Sequence, residues 1–264
     1  MKTILLIGAG GGMGRACAKQ LQSDGDRVIG LDRTVECMPD GMERYAADVT
    51  RADMLSAAYE AIRANTDALD AIVYAAGMYD MDSLVEIDEQ RMTGIFDVNV
   101  FGAYRAIKTF FPLLRAGSRV VFVTSELAPL DPLPFTGLYG ITKGTLEGYA
   151  FSLAMELQLL SIAVSVIRPG AVETPLLDRS VERIEAFAAR TKLYPGQAKR
   201  FLRVTQSVES KSVPPEAVAK KLIKVLHKKR PRYLYTLNRN PLLLLFGRLP
   251  KQWQLGIIKT YLSK

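Results

Sequence analysis

Five of seven consecutive residues near the start of the chain are glycine, in the run Gly8-Ala9-Gly10-Gly11-Gly12-Met13-Gly14. Residues without a Cβ let the backbone turn tightly and approach a bound group closely. The apolar run Thr3–Gly8 precedes this turn, and Arg15-Ala16-Cys17-Ala18-Lys19 opens a helix after it. A strand therefore feeds a helix whose N-terminal N–H groups and partial positive charge face the turn, which suits a pyrophosphate. Asp32 stands 18 residues beyond Gly14, at the end of the next apolar run. A carboxylate there bonds the ribose hydroxyls of an adenosine. Gly11 rather than a basic residue precedes Gly12, so nothing in the loop invites a 2′-phosphate and NAD is favoured. Arg33 keeps NADP open.

Apolar runs alternate with longer helical periods, a pattern of parallel strands joined by crossover helices. The expected strands are Thr3–Gly8, Arg27–Leu31, Leu69–Tyr74, Arg119–Thr124 and Ile162–Ile167. The expected helices lie near Gly12–Asp24, Arg51–Ala64, Asp88–Leu114, Leu138–Leu160 and Pro214–Lys229. No repeat or linker divides the 264 residues, which points to one α/β domain with helices on both faces of a parallel sheet. The polar, charged segment 173–213 breaks the alternation and reads as an insertion over the active face.

Charge is unevenly spread. Residues 211–264 hold 13 lysines and arginines against one acid, Glu216, so the preceding 210 residues are mildly acidic. The basic residues of the tail, 230–264, are interleaved with leucines rather than with a base-stacking array, which argues against nucleic acid. Cys17 and Cys37 are too few for a disulfide framework and are expected to stay reduced. A single histidine, His227, is expected at the surface and excludes a histidine-built metal site. The start of the chain lacks the pattern of a targeting segment, so a cytoplasmic protein is expected.

Tyr139 and Lys143 fall at i and i+4 on a predicted helix and share one face. A free tyrosine, with its pKa near 10, is a poor base at neutral pH. A nearby ammonium and an oxidised nicotinamide both favour its phenolate, so a pKa well under 10 is expected. Ser125 at the end of a predicted strand would bond a substrate oxygen and stabilise its developing charge.

Together these motifs resemble the single-domain short-chain dehydrogenase/reductases, over about Lys2 to Lys229. The residues that carry the resemblance are Gly8-x3-Gly12-x-Gly14, Asp48-Val49, Ala76-Gly77, Asn99-Val100-Phe101-Gly102, Ser125, Tyr139-x3-Lys143 and Pro169-Gly170-x3-Thr174-Pro175. The resemblance implies a Rossmann-like, doubly wound fold and an oxidoreductase that exchanges a secondary alcohol and a ketone with NAD or NADP. It implies a catalytic set of Asn99, Ser125, Tyr139 and Lys143, with Asn99 holding a water for proton relay and Lys143 touching the nicotinamide ribose. The implied cofactor contacts are Gly8, Gly12, Met13, Gly14, Asp32, Arg33, Asp48, Val49, Ala75, Ala76, Gly77, Tyr139, Lys143, Pro169, Gly170, Val172 and Thr174. No metal is implied. Ile7, Tyr74 and Ala75 replace polar residues of the family pattern, which suggests an apolar repacking, and Ser125 lies about one residue farther from Tyr139 than usual.

In this family a segment such as 173–213 closes over the substrate. Its Leu176, Leu177, Phe187, Leu193, Tyr194 and Phe201 favour a hydrophobic, steroid- or lipid-like alcohol or ketone, as in hydroxysteroid and retinol dehydrogenases. Glu126 is either a solvent-facing acid or a polar contact in the substrate mouth. The tail offers three readings: a terminal lid or inter-subunit arm, a peripheral membrane contact, or a loose end. The helices near Asp88–Leu114 and Leu138–Leu160 resemble those that pair subunits into dimers or tetramers, with Leu146, Tyr149, Leu153 and Leu157 at helical spacing. Two alternatives stand beside the dehydrogenase: a non-catalytic NAD(H)-binding regulator, and a nucleotide-sugar epimerase or dehydratase.

Overall fold

A computed structural model describes residues 1–209 and 211–263; Ser210 of the polar insertion and Lys264 of the tail lie outside the described residues. Seven parallel strands form one sheet: β1 (Thr3–Ile7), β2 (Arg27–Asp32), β3 (Glu43–Ala46), β4 (Leu69–Tyr74), β5 (Leu114–Val123), β6 (Ala163–Pro169) and β7 (Leu234–Leu237). Their order is β3-β2-β1-β4-β5-β6-β7. The order reverses at β1, which pairs with β2 on one side and β4 on the other, so a crevice opens beyond the C-terminal ends of β1 and β4.

Both faces of β1 are apolar because both are covered. Leu5 and Ile7 join one core with α2 (Ala52–Arg63), α4 (Gly102–Phe110) and α5 (Gly137–Leu157). Ile4 and Leu6 join the other with α1 (Gly12–Ser23) and α8 (Pro215–His227). Continuous apolar strands are what a sheet buried on two sides requires. The expected doubly wound α/β fold is the one observed.

Two strands escaped the sequence pattern. β3 and β7 are four-residue edge strands, and β3 alternates half-buried and exposed residues. Short, half-covered edges carry little hydrophobic signal. The expected helix Asp88–Leu114 is also interrupted. α3 (Glu89–Phe96) and α4 flank a π-helical turn, Asp97–Phe101, and β5 begins at Leu114.

The insertion folds as two helices, α6 (Pro175–Arg190) and α7 (Pro195–Glu209), and the tail adds α9 (Pro241–Phe246) and α10 (Lys251–Ser263). Among the described residues, no helix is long and apolar enough to cross a membrane. On α5, Leu146 and Leu157 are buried in the sheet-facing core with Tyr149 and Leu153 packed against it, so of its two readings, subunit contact or sheet contact, the stripe takes the second. Phe151 and Met155 of α5 and Phe101 of the π turn are more than half exposed, and Tyr104 of α4 is 44% exposed. His227 is exposed, as expected, and its Nε2 lies 2.9 Å from Oδ2 of the buried Asp26.

Candidate active site

The glycine turn is built so that side chains cannot enter it. Gly8 has φ +88°, and a Cβ there would lie 2.5 Å from the backbone nitrogen of Ala76. A Cβ on Gly14 would lie 1.9 Å from the Gly8 carbonyl oxygen, so α1 meets the loop backbone to backbone. The N-cap of α1 is Gly11, which offers no capping side chain, and the first turn holds no acid. Its N–H groups and positive end are left for an external anion. Asp32 sits beside the loop, where its Oδ2 accepts the Gly10 N–H at 2.9 Å, while Arg33 is exposed.

The adjoining loops complete a trough. Asp48 Oδ1 accepts from the Thr50 N–H at 2.9 Å and hydroxyl at 2.8 Å, which orients the carboxylate. Val49 is buried where a Cβ on Gly102 would touch it at 2.7 Å. Ala75 N–H donates to the Ile7 carbonyl at 2.9 Å, and Ala76-Gly77 continue along the trough. Tyr74 corrects the expected apolar repacking: its buried hydroxyl donates to the Val98 carbonyl of the π turn at 2.7 Å. The residues present fit a dinucleotide, with a backbone cradle for its phosphates and Asp32 for the adenosine ribose.

Four more of the predicted residues converge at the end of β5. Ser125 follows the strand, Tyr139 opens α5, and both line one cleft, where the Ser125 hydroxyl favours the Tyr139 phenolate. The Lys143 ammonium, buried one turn later, lies 5.6 Å from the Tyr139 ring centre and 3.5 Å from the Val123 carbonyl oxygen. Burial lowers the Lys143 pKa to about 8, opposed by the negative charge of Glu147. Asn99 binds the backbone of Met78 through both ends of its amide, at 2.7 and 2.9 Å, and donates to Thr142 Oγ1 at 3.0 Å. Its Oδ1 and Lys143 Nζ both flank Gly77.

The phenol departs from expectation. Burial drives the Tyr139 pKa up to about 12, and the Ser125 hydrogen bond only partly offsets this. In the protein alone the phenol is neutral, because desolvation of the phenolate outweighs what the Ser125 hydroxyl contributes in its favour.

Beyond Ser125 and Tyr139 lies a cleft of about 170 Å³, lined by Met13, Pro169, Gly170, Val172 and Thr174 on the trough side. Met81, Leu133, Leu176, Leu177 and Phe201 make its wall apolar. Phe187 and Tyr194 stand behind it, 4.7 and 5.4 Å from the Phe135 ring centre, whereas Leu193 points outward, 60% exposed. Glu126 is not solvent-facing: it is buried in the cleft wall, Oε2 accepts the Asn240 N–H at 2.7 Å, and burial raises its pKa.

Sequence reasoning missed Leu243 of the tail, which enters the cleft, and Tyr79, whose ring centre lies 4.4 Å from that of Tyr139. It also missed Glu147 and Arg168, an ion pair directly behind Lys143. An aromatic two residues beyond Gly77 and an acid four residues beyond Lys143 were the only signals, and neither has a distinctive spacing.

Comparison with known proteins agrees with this geometry. The short chain dehydrogenase family profile matches residues 2–185. The chain is 28% identical to human 17-beta-hydroxysteroid dehydrogenase type 1, over 91% of this chain and 79% of the relative. It is 25% identical to a 3-ketodihydrosphingosine reductase of Bacteroides thetaiotaomicron, over 87% of this chain and 85% of that one. A solved short-chain dehydrogenase from Streptomyces avermitilis superposes with a TM-score of 0.76 at 23% identity, covering 99% of this chain and 94% of the other. With its profile match spanning more than half of the sequence, this chain belongs to the short-chain dehydrogenase family.

Proposed function

We propose that this protein is an NAD-dependent oxidoreductase that interconverts a secondary alcohol and a ketone on a hydrophobic, steroid- or lipid-like substrate. The observation that carries the reading is that Ser125 and Tyr139 line one apolar cleft beside the glycine trough, with buried Lys143 5.6 Å from the Tyr139 ring centre. NADP fits less well, because Asp32 would repel a 2′-phosphate. The names of the two relatives, a hydroxysteroid dehydrogenase and a ketodihydrosphingosine reductase, support an apolar substrate.

A bound nicotinamide supplies or accepts the hydride. Gly8, Gly12 and Gly14 hold the pyrophosphate, Asp32, Asp48 and Val49 the adenosine, and Lys143 the second ribose. Met13, Ala75, Ala76, Gly77, Pro169, Gly170, Val172 and Thr174 wall the trough, with Arg33 at its rim. Ser125 donates a hydrogen bond to the substrate oxygen, where charge develops as a ketone is reduced. Tyr139 gives that oxygen its proton. A phenol held neutral by burial is already in the donating form that ketone reduction uses. Lys143 then stabilises the phenolate left behind, and Asn99 fixes the loop at Met78 and a water path to solvent. Residues 173–213 and the tail act as the lid, through Leu176, Leu177, Phe201 and Leu243.

A second copy of the chain is the further partner, giving a dimer or tetramer through Phe101, Tyr104, Phe151 and Met155. The function is tested with a series of steroid and long-chain aliphatic ketones, following absorbance of the reduced nicotinamide. Turnover that rises with substrate hydrophobicity is expected. Tight dinucleotide binding without hydride transfer to any substrate would instead indicate a regulator.

A further inference from the structure

The tail helices have two unlike sides. On α10 the inward side is Gln254, Ile258 and Leu262: Gln254 bonds Asp131 and the Leu249 carbonyl, both at 2.9 Å, and Arg200 of α7 bonds the Leu262 carbonyl at 2.6 Å. The outward side is Trp253, Ile257 and Tyr261, one helical turn apart and exposed by 65, 46 and 58%. With Arg200 and Arg203 these three line an open hollow of about 910 Å³. On α9, Leu243 enters the substrate cleft, while Leu242 and Leu245 are exposed by 71 and 62%. From Ala217 to the end the sequence contains no acid, and Arg248, Lys251 and Lys259 are spread among these apolar residues.

We propose that the outer side of α9 and α10, with Arg203 of α7, is a docking surface for an anionic lipid bilayer, and that the cleft takes its apolar substrate from that bilayer past α9. The second half rests on the function proposed above; the first does not. Apolar and aromatic side chains beside Arg200 and Arg203, with no acid among the described residues that line the hollow, match an anionic headgroup layer over acyl chains. A second copy of the chain is a poor occupant. A two-fold contact sets a patch against itself, which would crowd Arg200 and Arg203 of both copies into one interface with no acid among those lining residues to pair them. The cleft and the bilayer would then meet at α9, whose residue Leu243 faces one and whose residues Leu242 and Leu245 face the other.

Trp253 is the chain's one tryptophan, so its emission reports directly on this surface. Adding vesicles of phosphatidylcholine and phosphatidylglycerol to the full chain should shift that emission to the blue and carry the protein down on sedimentation. Pure phosphatidylcholine vesicles should do neither. Arg203→Gln should weaken partitioning about fivefold, and Ile257→Gln should weaken it without changing its salt dependence. No shift with anionic vesicles, or equal binding to neutral ones, overturns the docking surface. So does a blue shift that grows with protein concentration without vesicles, which would assign the face to a second copy. Anionic vesicles should also speed reduction of a long-chain ketone carried in them, but not of a short soluble ketone. Soluble turnover without vesicle binding refutes this inference and leaves the proposed function standing. Vesicle binding without turnover of any ketone keeps the docking surface and refutes the proposed function, and with it the uptake of substrate from the bilayer.

Discussion

Glu147 stands one helical turn beyond Lys143 on α5, and Arg168 of β6 grips it: Arg168 Nε lies 2.7 and 2.9 Å from the two carboxylate oxygens. Thr124, the residue before Ser125, donates to the same carboxylate at 2.7 Å. One buried ionic unit therefore ties the helix that carries Tyr139 and Lys143 to the strand that carries Ser125. Glu147 is also the charge that opposes the fall in the Lys143 pKa.

A pH dependence follows with a definite sign. Lys143 stabilises the Tyr139 phenolate only as an ammonium, so ketone reduction should decline as pH rises through about 8, where Lys143 loses its proton. Glu147→Gln removes the anion that holds this pKa up, and the decline should move to lower pH. Initial-rate profiles at saturating dinucleotide read the midpoint. A variant that lowered the rate at every pH with no change of midpoint would make Glu147 a packing residue only.

Lys143 should also cost stability. Its pKa is about 8 when folded against 10.5 for a free lysine, so the unfolded chain binds more protons between those values. This group's penalty on folding is full below pH 8 and fades as pH rises toward 10.5. Lys143→Met keeps the chain's length and removes the charge. It should raise stability at pH 7 by at most about 3 kcal/mol while abolishing turnover. Urea denaturation of both forms across that pH range checks it, and the gap should close with rising pH.

What the sequence reveals and what it hides divide along a physical line. Gly8, Gly12 and Gly14, Asp32, and the Tyr139–Lys143 pair are legible because their job depends on local spacing: a turn, a strand end, one face of a helix. Leu243 was hidden, and Glu126 was left between two readings, because the chain meets itself there across more than a hundred residues, Glu126 receiving its hydrogen bond from Asn240. The π turn around Asn99 was hidden for another reason. A Cβ at Gly102 would lie 2.9 Å from the Tyr74 hydroxyl, and that hydroxyl takes up the Val98 carbonyl, so the distortion is stabilised by a neighbouring strand.

Cofactor choice should follow Asp32. Its carboxylate is already aimed at the loop by the Gly10 N–H, so the wild type should bind NAD more tightly than NADP. Asp32→Ala should erode that preference by weakening NAD and sparing NADP. Fluorescence titration of both dinucleotides decides the point; tighter NADP binding by the wild type would show that Arg33 governs the site.

Assembly should depend on the outward residues of the π turn, α4 and α5. Phe101, Tyr104, Phe151 and Met155 each expose a large apolar side chain, and burying such surface against a second copy is favourable. Light scattering at micromolar concentration should show a dimer or tetramer, and Phe151→Glu should lower the mass. A monomeric wild type would remove the claim.

The sharpest test of the chemistry is Tyr139→Phe. The change deletes one oxygen and keeps the ring, so the contact with Tyr79 and the packing of α5 remain. The trough is formed by the glycine turn, Asp32, Asp48 and Lys143, none of which is altered, so NAD should bind nearly as before. Loss of a proton-transfer group commonly lowers a rate by about 10²–10⁴-fold, and here the Ser125 partner is lost as well. Lys143→Ala should behave differently, weakening both dinucleotide binding and rate, because Lys143 is assigned to both the ribose and the phenolate. Ketone reduction under single-turnover conditions with each variant separates the two effects. If Tyr139→Phe keeps more than about a tenth of the wild-type rate, the proton comes from another group and the mechanism built on Tyr139 fails.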